Sequence, residues 1–249
     1  MIPNPILKVL STLSTHEVRY LLMGGQACVF YGAAEFSRDC DIAILCEPEN
    51  LARLQAALDE LQAVNIAVPP FEVDYLLRGH AVHFRCHDAD AQDIRIDVMA
   101  RMRGVAPFDE LWDRRTTLFD ERSNAQIELL SLPDLVTAKQ TQRDKDWPMI
   151  RRLIEANYAQ FHANATNEQV LFWLRSSRSP DMLIELVAKY SKLAQGVEPD
   201  RPAIAAAKKQ NSEGIRTALA DEQLTESQSD REYWLPLKRE LEQLRRRRS

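Results

Sequence analysis

The apolar pattern changes its period about halfway along the chain, and this change limits the fold more than any other feature. In the first half, short apolar runs alternate with helical spacings. Val18–Met23 is an apolar run that stops at Gly24-Gly25, as a buried strand would. Gln26–Tyr31 then reads as the start of a helix ending near Gly32. Asp39–Leu45 alternates as a strand does. Pro5–Leu13 and Pro48–Leu61 have helical spacing, the second opened by Pro48. Ala81–Cys86 and Ile94–Val98 are short alternating runs separated by a polar turn, as adjacent strands would be.

From Pro133 onward the periods are helical. The spacing predicts helices over Pro133–Arg143, Trp147–His162, Asn167–Arg175, Asp181–Ala194, Pro202–Lys209 and Asp230–Arg248. Breaks are expected at Pro180, at Gly196–Pro199 and at Thr225–Ser229. The expected architecture is α/β (α+β): a mixed sheet flanked by helices over residues 1–125, then a helical domain over residues 126–249. A length of 249 residues suits one large domain or two small ones.

Composition narrows the class. Hydrophobic residues make up 45% and charged residues 28%, as in a packed globular protein. The net charge of −5 rules out a surface that attracts nucleic acid as a whole. Only local basic groups, such as Arg101 with Arg103 or the run Arg245–Arg248, offer phosphate contacts. At a helix C-terminus the second group needs no partner. No run of about 18 apolar residues predicts a membrane span. Met1–Leu13 lacks the basic start and apolar core of a secretion signal. A cytoplasmic location is expected, with the four cysteines as reduced thiols and, lacking any CxxC pair, not as zinc ligands.

Asp39 and Asp41 lie two apart on an expected strand, so both carboxylates project from one face. Two carboxylates that close repel unless a cation sits between them. Mg²⁺ suits the position, because it takes oxygen ligands and shares them with phosphates. Asp97 ends another expected strand. If the strands are neighbours, three carboxylates can hold two metal ions for in-line phosphoryl displacement. An Asp-x-Asp alone usually marks only a solvated strand end. Here it follows a strand, a Gly-Gly and a helix start, where glycines admit phosphate to the backbone and a helix N-terminus favours anions.

Gly24-Gly25-Gln26-Ala27, Tyr31-Gly32 and Ser37-Arg38-Asp39-Cys40-Asp41-Ile42 resemble the polymerase-beta-like nucleotidyltransferase superfamily. Within it the pattern is most similar to bacterial toxin-type (abortive-infection-like) and minimal nucleotidyltransferases, over roughly residues 18–154. The resemblance implies a nucleoside triphosphate and Mg²⁺, two ions with Mn²⁺ as a substitute, in a cleft of a small mixed sheet. Gly24 and Gly25 would meet the triphosphate through backbone N–H groups, and Ser37 would donate to a phosphate oxygen. Asp39, Asp41 and Asp97 would be the catalytic and metal-binding carboxylates, with Asp97 also helping to activate the attacking hydroxyl.

Leu132-Pro133-Asp134-Leu135, Lys139, Arg143 and Asp144-Lys145-Asp146 resemble a second segment of the same enzymes. Lys139 and Arg143, four apart on an expected helix, would then bind nucleotide phosphates. One position departs from the pattern: Glu35 stands where toxin-type relatives often carry Arg, and an acid there repels phosphate.

The expected activity is transfer of a nucleotidyl group from an NTP to an acceptor hydroxyl. RNA or a protein is the favoured acceptor, and the toxin role would pair the chain with an antitoxin protein. Two alternatives remain open. Glu35 favours a nucleotide-binding regulatory or antitoxin-like protein without turnover. An acidic cleft in the helical domain would favour an aminoglycoside-type, small-molecule transferase. His80, His83 and His87 are discounted as a metal site, because on a strand His80 and His83 point to opposite faces. Phe108, Leu111, Trp112, Trp147, Trp173 and Trp234 read as packing residues.

Overall fold

The computed structural model describes residues 5–120 and 125–248. The first four residues of the segment read for a secretion signal lie outside that range. The chain divides into two compact units. Unit 1 comprises residues 1–30, 34–138 and 233–249, and unit 2 comprises residues 31–33 and 139–232.

Unit 1 is built on a sheet of seven strands. In chain order its elements are α1 (Pro5–Thr15), β1 (Tyr20–Met23), α2 (Gly24–Phe30), β2 (Asp39–Ile44), α3 (Pro48–Glu60), β3 (Val64–Asn65), α4 (Val73–Arg78), β4 (Val82–Arg85), β5 (Arg95–Met99), α5 (Phe108–Asp113), β6 (Thr116–Asp120), β7 (Ala125–Leu129) and α6 (Leu132–Ala138). The strand order is β3-β4-β5-β2-β1-β7-β6. The sheet is mixed: β2 runs parallel to β5 and β1 parallel to β7, while the other pairs are antiparallel.

β1 is buried along its whole length, which explains its unbroken apolar run. The strands beside it alternate. Cys40, Ile42, Ile96, Val98, Val82 and Phe84 are buried, while Asp39, Asp41, Arg95, Asp97 and His83 stay half-buried. Each fully buried aliphatic side chain stabilises the fold by roughly 1.5–3 kcal/mol. The half-buried residues of β2, β5 and β4 therefore give one sheet face a polar stretch. α1 packs against β7 and α3. The buried Asn50 of α3 fastens the ends of two strands: its Oδ1 accepts from Arg19 N (2.7 Å), and its Nδ2 donates to Arg19 O (3.0 Å) and Leu45 O (2.8 Å).

Unit 2 is helical. It holds α7 (Asp146–Phe161), α8 (Asn167–Ser176), α9 (Pro180–Lys189), α10 (Ser191–Val197), α11 (Pro202–Lys208) and the first part of α12 (Ser212–Arg248), with short 3-10 turns at His162–Asn164 and Glu198–Asp200. α8 opens on a full capping box between Thr166 and Gln169, and Pro180 opens α9. Among the described residues, no helix is long and apolar enough to cross a membrane.

Several expectations are corrected. A boundary at residue 125 would fall at the first residue of β7, and unit 1 instead runs on to Ala138 and takes up residues 233–249. The stretch Asp181–Ala194 is two helices, because the backbone leaves the helical region at Tyr190 (φ −122°, ψ 48°). No break occurs at Thr225–Ser229. The hydroxyls of Thr225 and Ser229 bond back to the carbonyls of Asp221 and Thr225, so the polar run continues one helix. Trp112 is half-buried rather than core, with the guanidinium carbons of Arg115 and Arg19 at 4.1 Å and 4.9 Å from its ring. Trp234 is also only half-buried, whereas Trp147 and Trp173 are buried. All four cysteines are free thiols.

Candidate active site

The register of the sheet assembles the carboxylates. Asp41 faces Asp97 across the parallel β2–β5 pair, and His83 faces Asp97 across the antiparallel β4–β5 pair. Met23 faces Asp41 on the other side. His83, Asp97 and Asp41 thus form one row across three strands. Asp39, two residues from Asp41, lies opposite Arg95 in the next row on the same face.

Gly24 directly follows Met23, and its backbone meets this row. Its φ is +67°, and a Cβ placed there would lie 1.9 Å from Asp41 Oδ2. Only glycine satisfies both conditions. At Gly25 a Cβ would lie 2.7 Å from Ser37 Oγ. The Ser37 hydroxyl itself donates to Asp39 O at 3.3 Å. Gly24, Gly25, Ser37, Asp39, Asp41 and Asp97 are therefore gathered in unit 1. The seven-residue α2 begins at Gly24, directly after β1.

Asp97 has partners that sequence reasoning missed. The Arg95 guanidinium grips it with both prongs, Nε to Oδ1 at 2.7 Å and Nη2 to Oδ2 at 2.8 Å. His83 Nδ1 lies 2.8 Å from Oδ1 and 3.0 Å from Arg95 Nη2. Burial alone would raise the Asp97 pKa, but the hydrogen bonds from His83 and Arg95 hold it below the usual carboxylate value. Burial likewise works against the charge on Arg95. Its bonds to Asp97 and the nearby charges of Asp97, Asp39 and Asp41 nonetheless push its pKa up. The sequence carried a signal for this: Arg95 and Asp97 are two apart on a strand, so they share a face. His83 belongs to the same group, whereas His80, fully buried, pairs with Glu240 at 2.7 Å. His83 is thus a partner of Asp97, and His80 is not.

Asp39 and Asp41 suit Mg²⁺ or Mn²⁺ by chemistry: they are half-buried oxygen donors on one strand face, Asp41 beside the Gly24 backbone. Asp97 as it stands is turned to Arg95 and His83. In keeping with that, among the described residues no three His, Cys, Asp or Glu side chains converge closely enough to hold a metal ion.

Lys139 and Arg143 do not share a helix face. α6 ends at Ala138, and both residues belong to unit 2. There they meet on the buried Asp146, with Lys139 Nζ 3.4 Å from Oδ1 and Arg143 Nε 2.7 Å from Oδ2. The helix stops because side chains satisfy the backbone of the following turn instead. Trp147 Nε1 donates to Thr141 O, and Gln142 N donates to Asp230 Oδ2. Glu35 is exposed, and so is Arg38, whose guanidinium sits 5.8 Å from the centre of the Phe36 ring.

Unit 2 has its own cavity of about 900 Å³. Five carboxylates line it, among them Asp200, Asp221 and Glu226, against the three arginines Arg175, Arg178 and Arg201. Two of those arginines are already spent on Glu222, Arg178 at 2.8 Å and Arg201 at 3.0 Å. No protein-family model matches the chain, and no curated protein matches it.

Proposed function

We propose that the chain is a metal-dependent nucleotidyltransferase that moves a nucleotidyl group from an NTP to an acceptor hydroxyl. The observation that supports this most is the meeting of Gly24 with Asp41, which itself stands beside Asp97 in the sheet. A backbone approach for phosphate and a set of carboxylates for a cation are then in one place. Asp39 and Asp41 would hold Mg²⁺, which supplies charge stabilisation at the transferring phosphoryl group. Gly24 and Gly25 present backbone N–H groups to the triphosphate, and Ser37 turns its hydroxyl from Asp39 O to a phosphate oxygen. The acceptor oxygen bonds to the α-phosphorus as the bond to the pyrophosphate breaks, and the acceptor proton passes towards Asp97. Lys139 and Arg143 would have to leave Asp146 to meet phosphate, so they carry less of this reading.

RNA or a protein is the preferred acceptor, with a growth-arresting role relieved by an antitoxin protein. The acidic lining of the unit 2 cavity favours a second reading, in which the acceptor is a cationic small molecule of the aminoglycoside type. Incubation with each α-labelled NTP, Mg²⁺, cellular RNA, protein and a cationic aminoglycoside separates these. Label on a macromolecule, absent with Asp39→Ala, supports the first reading, and label on the small molecule supports the second. NTP binding with no transfer to any acceptor would leave a non-catalytic nucleotide-binding protein, as the acid at Glu35 suggests.

A further inference from the structure

Asp97 is the carboxylate that a second metal ion would need, and both its oxygens already accept hydrogen bonds. Arg95 binds it through two parallel bonds at 2.7 Å and 2.8 Å, and His83 reaches Oδ1 at 2.8 Å. A planar guanidinium matches a carboxylate in this forked way, and it keeps its charge at any ordinary pH. The pair is built into the strand: Arg95 and Asp97 lie two apart on β5, on the face that also carries Asp39 and Asp41. The Asp97 side chain is only 14% exposed, so solvent does little to weaken the pairing.

We propose that Arg95 stands in place of a second metal, so that the site takes one divalent cation, on Asp39 and Asp41, while the Arg95 guanidinium serves as the fixed cation on Asp97. The inference rests on the nucleotidyltransferase reading for the ion itself. Arg95 is a positioning residue: it holds the third carboxylate in the row and spares the site a second ion.

The test counts metal. Mn²⁺ bound per chain is measured by electron paramagnetic resonance on the full-length protein with a non-hydrolysable NTP analogue, for wild type, Arg95→Gln, Arg95→Lys and Asp39→Ala. One Mn²⁺ in the wild type and in Arg95→Lys, and two in Arg95→Gln, is the expected result. Two Mn²⁺ in the wild type overturns the inference and leaves the transfer reading intact. One in both wild type and Arg95→Gln also overturns it, because Arg95 would not then be what excludes the second ion. Should Arg95→Gln fail to fold, Arg95→Met takes its place in the comparison, and a wild-type count of two still overturns the inference. Binding that Asp39→Ala does not reduce would remove the metal site, and the transfer reading with it.

Discussion

Gly24 carries two demands that no other residue type meets together. Its φ of +67° lies in the left-handed region, and its missing Cβ leaves room for Asp41 Oδ2. Gly32 has a similar φ of +73° with nothing within 4 Å, so it isolates the conformational part. Gly32→Ala should cost about 1–2 kcal/mol by urea denaturation. Gly24→Ala should cost at least that and also abolish NTP binding by fluorescence titration, because Asp41 must move. Equal binding by the two variants would take Gly24 out of the site. The Asp-x-Asp and the Gly-Gly were legible at this scale because strand alternation and glycine freedom are local properties. The Arg95–Asp97 fork was half legible. The spacing put both on one face, but only the side-chain torsions bring the guanidinium onto both oxygens.

Between elements, buried polar side chains do what local propensity cannot. Asn50 supplies donors and an acceptor to backbone groups at the start of β1 and the end of β2. Asn50→Ala would leave buried N–H and C=O groups without partners. The expected loss is about 2–3 kcal/mol, read as a lower urea midpoint with an unchanged slope. A loss under about 0.5 kcal/mol would mean that water replaces the amide. The sequence placed α3 by its apolar spacing and Pro48, but an Asn inside that helix gave no sign of its partners, which lie 31 and 5 residues away. The end of α6 at Ala138 was hidden for the same reason. Lys139–Arg143 has helical spacing, and it is Trp147, Asp146 and Asp230 that draw its backbone into a turn.

For the molecule as a whole, carboxylates held below their ordinary pKa contribute stability that acid removes. Glu60 accepts from Lys8 and His16, and these bonds lower its pKa from 4.5 to about 2. Glu240 is lowered too, first by its bond with His80 and also by Arg78. A carboxylate with a depressed folded pKa stabilises the fold above its unfolded pKa, and that stability is lost as pH falls through the folded value. The urea midpoint should therefore decline between pH 4.5 and about 2. Glu60→Gln should flatten part of that decline. The effect will be modest and reduced by salt, since the Glu60 side chain is 43% exposed. A slope identical in wild type and variant would show that the exposed pairs contribute nothing. The His80–Glu240 bond also ties the end of α12 to unit 1, a contact 160 residues apart that no local pattern announces.

Local periodicity was enough for the division into strand-bearing and helical parts, the positions of β1, β2, β4, β5 and α3, and the sharing of one face by Asp39 and Asp41. These follow from periodicity, which is a property of neighbouring residues. Tertiary structure alone decided that β2 and β5 lie side by side in a register that sets Asp41 against Asp97, and that His83 joins them from β4. It also decided that the final helix runs unbroken and gives its end to unit 1. Strand order and register depend on which buried faces fit together across the sheet, and an alternating run has the same period whatever strand it pairs with.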